Sequence, residues 1–398
     1  MYKLYRLAKR YQISKLICWE KAELAHPLDP GCTVLLGMCS RLPQVIYANL
    51  ACLQQCVWDE LKAVYIIVDC RKSDLSPGTE EAIIHAFPQL NISFFYYSEQ
   101  QYQKAEQLKL PYLYAWLSWC VGLKHAKTQT VLIHDYDALI LSRTVLKRRY
   151  DEFQSSSAKL QGIEWYKGNG FIHADRLACT FECFADVEWL RSFEPIELFN
   201  NVGIHQGRSV DYDILLEIQA RYLEPIERTI SPMSQENAEL VHPSQMIHQY
   251  TMFRKFPGRS LPCYSMILLP LFDYLSGEQD AFQKATASIT QTGMLMRESV
   301  VINLTQLEGK YLHWGLQQSV QALVAFQGTP PEGFFAYYQA LYATVGCQLS
   351  GIQHEFATSE HQQWFAQAQQ LSVLSAVQIG KKDRTTPKEI NAYSSLNR

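Results

Sequence analysis

Two Asp-Tyr-Asp triplets stand in this chain, at Asp135–Asp137 and at Asp211–Asp213. The first closes the apolar run VLIH at 131–134, and the second opens the run ILLEIQARYL at 214–223. Two carboxylates at i and i+2 of extended backbone point to one side. At a strand end such a pair can face one hard cation. Mg2+ or Mn2+ is held in this way by one or two carboxylates together with substrate phosphate oxygens. An ion bridging a diphosphate neutralises the charge that develops when the diphosphate leaves. The plainer reading of Asp135 and Asp137 is a strand running into a solvated turn, where Asp is favoured. Asp211 and Asp213 have a plain reading too, as cap and dipole partner at the start of a helix over 211–223.

The elements that must position these acids follow from apolar runs and their punctuation. CTVLLGMCS at 32–40 reads as a buried strand, and Pro43 opens a helix over 43–58. AVYIIVDCR at 63–71 is a second strand, 76–89 a helix, 91–97 a third strand, 110–127 a helix, and TQTVLIHDYDALIL a fourth strand. This alternation predicts an α/β fold with a mostly parallel sheet and flanking helices. Ligands of such sheets sit beyond the carboxyl ends of the strands. Those ends carry Ser40 and Arg41, then Asp69 and Arg71, then Asp135 and Asp137. Acids from different strands therefore converge on one edge.

Beyond 265 the signal changes to helical spacing rich in Gln, Ala and Leu. The expected organisation is an N-terminal basic helical segment at 1–29, an α/β domain at 30–265, a helical region at 266–380 and a polar, disordered tail at 381–398.

The chain is 47% apolar and 12% aromatic, enough for a sizeable core. Its net charge of −3 gives no basic field for nucleic acid. Eleven Cys, an odd number with no disulfide-like framework, favour a reducing cytoplasm. The x3 pairs Cys52/Cys56 and Cys179/Cys183 read as thiols on helix faces, since no other ligands cluster near them. The first fifteen residues carry Lys3, Arg6, Lys9, Arg10 and Lys15 without an acid, and Tyr2, Leu4, Tyr5 and Leu7 are interleaved. Such a helix can make peripheral contact with an anionic membrane or pack on its own protein. No signal-type apolar stretch opens the chain, and no run is long enough to span a bilayer.

The order of TVLLGMCSR, VYIIVD and GLKHAKTQTVLIHDYDALIL resembles the glycosyltransferases of the GT-A fold, closest to their large inverting bacterial group (family 2-like). The resemblance covers about 30–150 well and 150–260 loosely. It implies an enzyme that moves a sugar from a nucleoside-diphosphate donor to an acceptor hydroxyl on a glycan, lipid or small molecule, with inversion. It implies that Asp69 contacts the base or ribose, and that Asp135 and Asp137 hold Mn2+ or Mg2+ on the donor diphosphate. Ser40, Arg41 and Arg71 complete the expected donor site. In that family an acidic pair 60–100 residues after the metal motif opens a helix and supplies the catalytic base. This role falls on Asp213, or on Asp211, with Asp211 better placed as the cap. A His beyond that helix often completes the metal shell, which makes His242 and His248 candidates and His313 a further one. The chain departs from the pattern at Cys70, where a second acid is usual, and at Trp119-Cys120, where Arg-Asn is common.

Two other classes share the residues. VLIHDYDALIL also resembles the haloacid-dehalogenase phosphohydrolase signature, with Asp135 as nucleophile, but Leu139 stands where Thr or Val is needed. A non-catalytic GT-A-like binding domain would show no metal-dependent nucleotide binding. A sugar-nucleotide pyrophosphorylase is disfavoured, because no G-x-G-T-R loop follows the first strand.

Overall fold

The computed structural model describes residues 9–19, 27–234, 239–243, 246–247, 249–250, 264–297, 300–304, 307–326 and 330–346. Its centre is a seven-stranded sheet in the order β3-β2-β1-β4-β7-β6-β10. The strands are β1 (Asp29–Met38), β2 (Leu61–Val68), β3 (Ile92–Tyr96), β4 (Thr128–His134), β6 (Leu160–Gly162), β7 (Glu182–Asp186) and β10 (Arg228–Ile230). Within this sheet β7 alone runs against its neighbours, so the sheet is mostly parallel as expected. From Cys32 to Leu36 every residue of β1 is buried, the mark of a strand covered on both faces.

The covering helices are α1 (Pro43–Leu53), α2 (Thr79–Ala86), α3 (Glu99–Leu108), α4 (Pro111–His125), α5 (Val145–Gln154), α6 (Val187–Arg191) and α7 (Leu216–Tyr222). Pro43 and Pro111 sit in the first turns of α1 and α4, where a missing N–H costs nothing. The α3 helix is absent from the sequence reading. It is signalled by a capping box in which the Ser98 side chain accepts from Gln101 N–H and Gln101 reaches back to Ser98 N–H. Gly37 on β1 lets α4 approach, since a Cβ there would stand 2.9 Å from Ser118 Oγ.

Chain order runs β1 to β2 to β3 on one side and then jumps back across β1 to β4. The crevice between the carboxyl ends of β1 and β4 is therefore the topological switch point, the usual ligand position of such sheets.

The C-terminal region is largely helical: α8 (Leu269–Leu275), α9 (Ala281–Thr292), α10 (Gly309–Phe326) and α11 (Phe334–Val345). It also holds a hairpin of β12 (Met294–Arg297) and β13 (Val300–Asn303), which helical spacing did not predict. Gly293, at φ 70°, ends α9, and the buried pair Leu295 and Ile302 faces inward across the hairpin. One buried cluster joins Val45 and Ile46 of α1 to Ile267, Phe272, Leu316 and Tyr337. The C-terminal helices thus share a core with one face of the sheet.

The opposite face takes the N-terminal segment. Ile13, Leu16, Ile17 and Trp19 are buried there. Arg10 donates to the carbonyls of Asn200 and Ile196 at 3.0 and 2.6 Å, and Trp19 Nε1 donates to Phe193 O at 2.9 Å. The apolar side of 9–19 is packed on its own protein. Tyr2, Leu4, Tyr5, Leu7 and the tail at 381–398 lie outside the described residues. No helix of the described residues is long and apolar enough to cross a membrane.

Candidate active site

The first triplet does not continue as strand. β4 ends at His134, and Asp135 to Ala138 form a turn in which Ala138 N–H donates to Asp135 O at 2.8 Å. Tyr136 between the acids is buried and donates to Leu42 O at 3.2 Å. The turn is clamped from below by Asn49 of α1, whose Nδ2 donates to Ala138 O at 2.7 Å and Tyr136 O at 3.2 Å.

After the turn the chain makes a short strand, β5 (Leu139–Ile140), antiparallel to β11 (Leu240–Val241). The register is Leu240 opposite Ile140 and Val241 opposite Leu139. Continuing that register sets His242 opposite Ala138, at the end of the acidic turn. Its Nε2 lies 3.3 Å from Asp135 Oδ2 and 3.8 Å from Asp137 Oδ1. One ligand atom from each of the three residues falls within 4.8 Å of the others. The imidazole is stacked on Phe181, with centroids 4.2 Å apart and planes at 14°. Phe181 O also accepts from Asp135 N–H at 2.8 Å. One residue thus orients an acid and the imidazole together.

Two carboxylates and one imidazole on one side of a space suit an octahedral ion such as Mn2+, which would keep further positions for phosphate oxygens. The electrostatics agree. Burial, with the nearby Asp135 charge, pushes the Asp137 carboxyl up to about 7 against the pull of His242 and of the Asp137 and Met246 N–H groups. Burial opposes charge on His242, but its hydrogen bond to Asp135 and the charge of Asp137 outweigh this and raise the imidazole. Packed acids that resist ionisation invite a cation.

The second triplet is also placed differently from the helical expectation. Asp211 lies in β9 (Arg208–Tyr212), which pairs antiparallel with β8 (Asn201–His205). Gln206 and Gly207, at φ 47° and 78°, make the turn. Helix α7 begins only at Leu216, and its N-cap is Leu215, with no side-chain cap bond. Asp211 is therefore not the cap. Half-buried Asp211 stands between buried Val210 and Tyr212, the alternation of a strand.

Asp213 follows β9 in a tight turn, where its Oδ1 accepts from Ile214 N–H at 2.7 Å. Leu215 holds φ 67° while buried, a strained conformation beside the acid. Burial pushes the Asp213 carboxyl up to about 7. The Ile214 N–H opposes this, and the charges of Asp135 and Asp211 add to it. The charge of the first triplet is thus felt at the second. Burial and then the Asp213 charge raise Tyr112 and Tyr166.

Among the other expected donor residues, Asp69 Oδ1 accepts from Ser40 N–H at 2.7 Å, joining the ends of β1 and β2. Burial raises the Asp69 carboxyl, while hydrogen bonds from Ser40 and Cys39 pull it back. Both arginines are engaged at the surface. Arg41 pairs with Glu106 at 3.2 Å, and Arg71 pairs with Asp74 at 2.6 Å and Glu99 at 2.9 Å. His313 Nδ1 is bonded to the Tyr342 hydroxyl at 2.7 Å and does not join the cluster. His248 lies outside the described residues. Sequence reasoning missed Phe181, Asn49, Tyr112 and Tyr166. Strand register and packing place them, and no local motif marks them.

No protein-family model matches the chain, and no curated protein does. Solved structures are similar at low identity. S. aureus TarS shares 12% identity over 87% of this chain and 54% of its own, with a TM-score of 0.37. The chain thus spans about half of that protein's length. The mannosyltransferase PcManGT from Pyrobaculum calidifontis, solved with GDP-Man and Mn2+, shares 15% over 81% of this chain and 94% of its own, at 0.36. The galactosyltransferase LgtC, solved with donor and acceptor sugar analogues, shares 10% over 62% and 95%, at 0.39. At these scores the chemistry of the site rests on its own geometry.

Proposed function

We propose that the chain is a metal-assisted, inverting glycosyltransferase of hexosyl type, using a nucleoside-diphosphate sugar. The observation that carries this reading is the convergence of Asp135, Asp137 and His242 at the switch-point crevice, with the buried Asp213 carboxyl within electrostatic reach of Asp135. Asp135, Asp137 and His242 would hold Mn2+ or Mg2+ on the donor diphosphate. A bound cation supplies charge neutralisation for the leaving diphosphate. Asp69, fixed by Ser40, contacts the ribose or base. Asp213 takes the proton of an acceptor hydroxyl as its oxygen attacks the anomeric carbon, while the bond from that carbon to the diphosphate breaks. A carboxyl poised near 7 suits a base working at neutral pH.

The test is release of nucleoside diphosphate from a panel of UDP-, GDP- and dTDP-sugars. Release that requires Mn2+ or Mg2+ and stops on chelation is expected. Release indifferent to chelation, or hydrolysis of an aryl phosphate in its place, would overturn the reading.

The ligands also set a pH dependence. Asp137, raised to about 7, and His242 must shed protons before they bind a cation. Protonation competes below that value, so Mn2+ binding should weaken at least tenfold between pH 8 and pH 6, as follows for one group titrating near 7. Calorimetric titration at the two pH values checks this, and affinity flat across the range contradicts it.

A further inference from the structure

A run of buried polar contacts lies under the cluster and joins its two sources of ligands. His134, the last residue of β4, is fully buried, and its Nδ1 bonds Glu182 directly across the β4–β7 ladder. Its Nε2 stands 3.0 Å from Asn49 Nδ2, the group that clamps the acidic turn. The other oxygen of Glu182 meets Arg149 Nη1 at 3.4 Å, and Arg149 Nη2 meets Glu239 Oε2 at 3.2 Å. Glu239 also takes Arg148 at 2.9 Å. Glu239 immediately precedes β11 and stands three residues before His242. Arg149 is 2% exposed.

We infer that Arg149 is a positioning residue: through Glu182 and Glu239 it ties the segment bearing His242 to the end of β4, from which the turn bearing Asp135 and Asp137 leaves. The inference rests on the metal-assisted reading above. The β5–β11 ladder has two residue pairs, and so short a ribbon is marginal alone. Its neighbouring bond, Leu141 N–H to Glu239 O at 3.0 Å, depends on where Glu239 sits. The charges are poorly matched to a purely stabilising role. Among the described residues, Arg149 Nε and Asn49 Oδ1 are buried without a hydrogen-bond partner. Apolar side chains of similar volume commonly stabilise a core as well or better. Directional bonds to two carboxylates instead fix register.

The test is a double-mutant square read by Mn2+ binding to the full chain, measured by electron paramagnetic resonance of the free aqua ion. The four forms are the unsubstituted protein, Arg149→Lys, His242→Ala and the pair together. Arg149→Lys should weaken Mn2+ about tenfold when His242 is present, as loss of a supporting contact does. It should have no further effect in the His242→Ala background, because the contact acts through that imidazole. An equal loss in both backgrounds, or no loss in either, overturns the inference. Glu239→Gln, nearly isosteric, is run in a second square with the same criterion and decides the matter if Arg149→Lys does not fold by circular dichroism. Absence of Mn2+ binding by the unsubstituted protein would instead fail the metal-assisted reading itself.

Discussion

Asp213→Asn is expected to lower sugar transfer by about 10^2- to 10^4-fold, the usual contribution of a positioned base. Nucleoside-diphosphate affinity should stay within a few-fold, because the proton transfer matters only in the transition state. The same substitution should stabilise the fold. A carboxyl raised to about 7 in the folded protein, against 3.8 otherwise, destabilises it progressively as pH rises from about 4 to about 7, and fully above that. Asn keeps an acceptor for Ile214 N–H and removes the charge. A rise in Tm of roughly 2–4 °C at pH 8, shrinking towards pH 5, is the signature of an acid held at a cost in stability for function. Near-normal turnover, or a product that retains the donor's anomeric configuration, would remove Asp213 from the role of base.

The second large effect is at Asp137, the most buried of the three proposed cation ligands at 5% exposure. Asp137→Ala should abolish the benefit of Mn2+ for nucleotide binding and cut transfer by about 10^2- to 10^3-fold or more, the scale on which one preorganised electrostatic group acts. Since the ionised acid is also a burden in a crowded acidic site, folding should survive the change. Transfer within a few-fold of normal would show that the turn at 135–138 is merely a turn.

Much of this was legible because the parallel half of the sheet announces itself. β1, β2 and β4 are unbroken apolar runs closed by polar residues, and Pro marks the helices between them. Asp135 and Asp137 stand out as acids at the end of such a run. The rest depends on information that local sequence does not carry. The acids occupy a turn instead of extended backbone because Tyr136 finds a buried site under Leu42. Asp211 belongs to a hairpin set by Gln206-Gly207, although the apolar residues after it look helical. His242 was suggested by resemblance alone, and its arrival beside Asp137 depends on a two-pair ladder between segments about 100 residues apart. Phe181, Asn49 and Arg149 make their contacts with segments distant in sequence, and no spacing rule reaches them.

The most direct test is calorimetric titration of the protein with UDP, GDP and dTDP, each with Mn2+ and with a chelator. A metal-assisted nucleotide-sugar enzyme requires that one of these nucleotides bind at least about tenfold more tightly with Mn2+. That gain should vanish in Asp137→Ala. Equal affinity with and without the metal, for every nucleotide, would contradict the account.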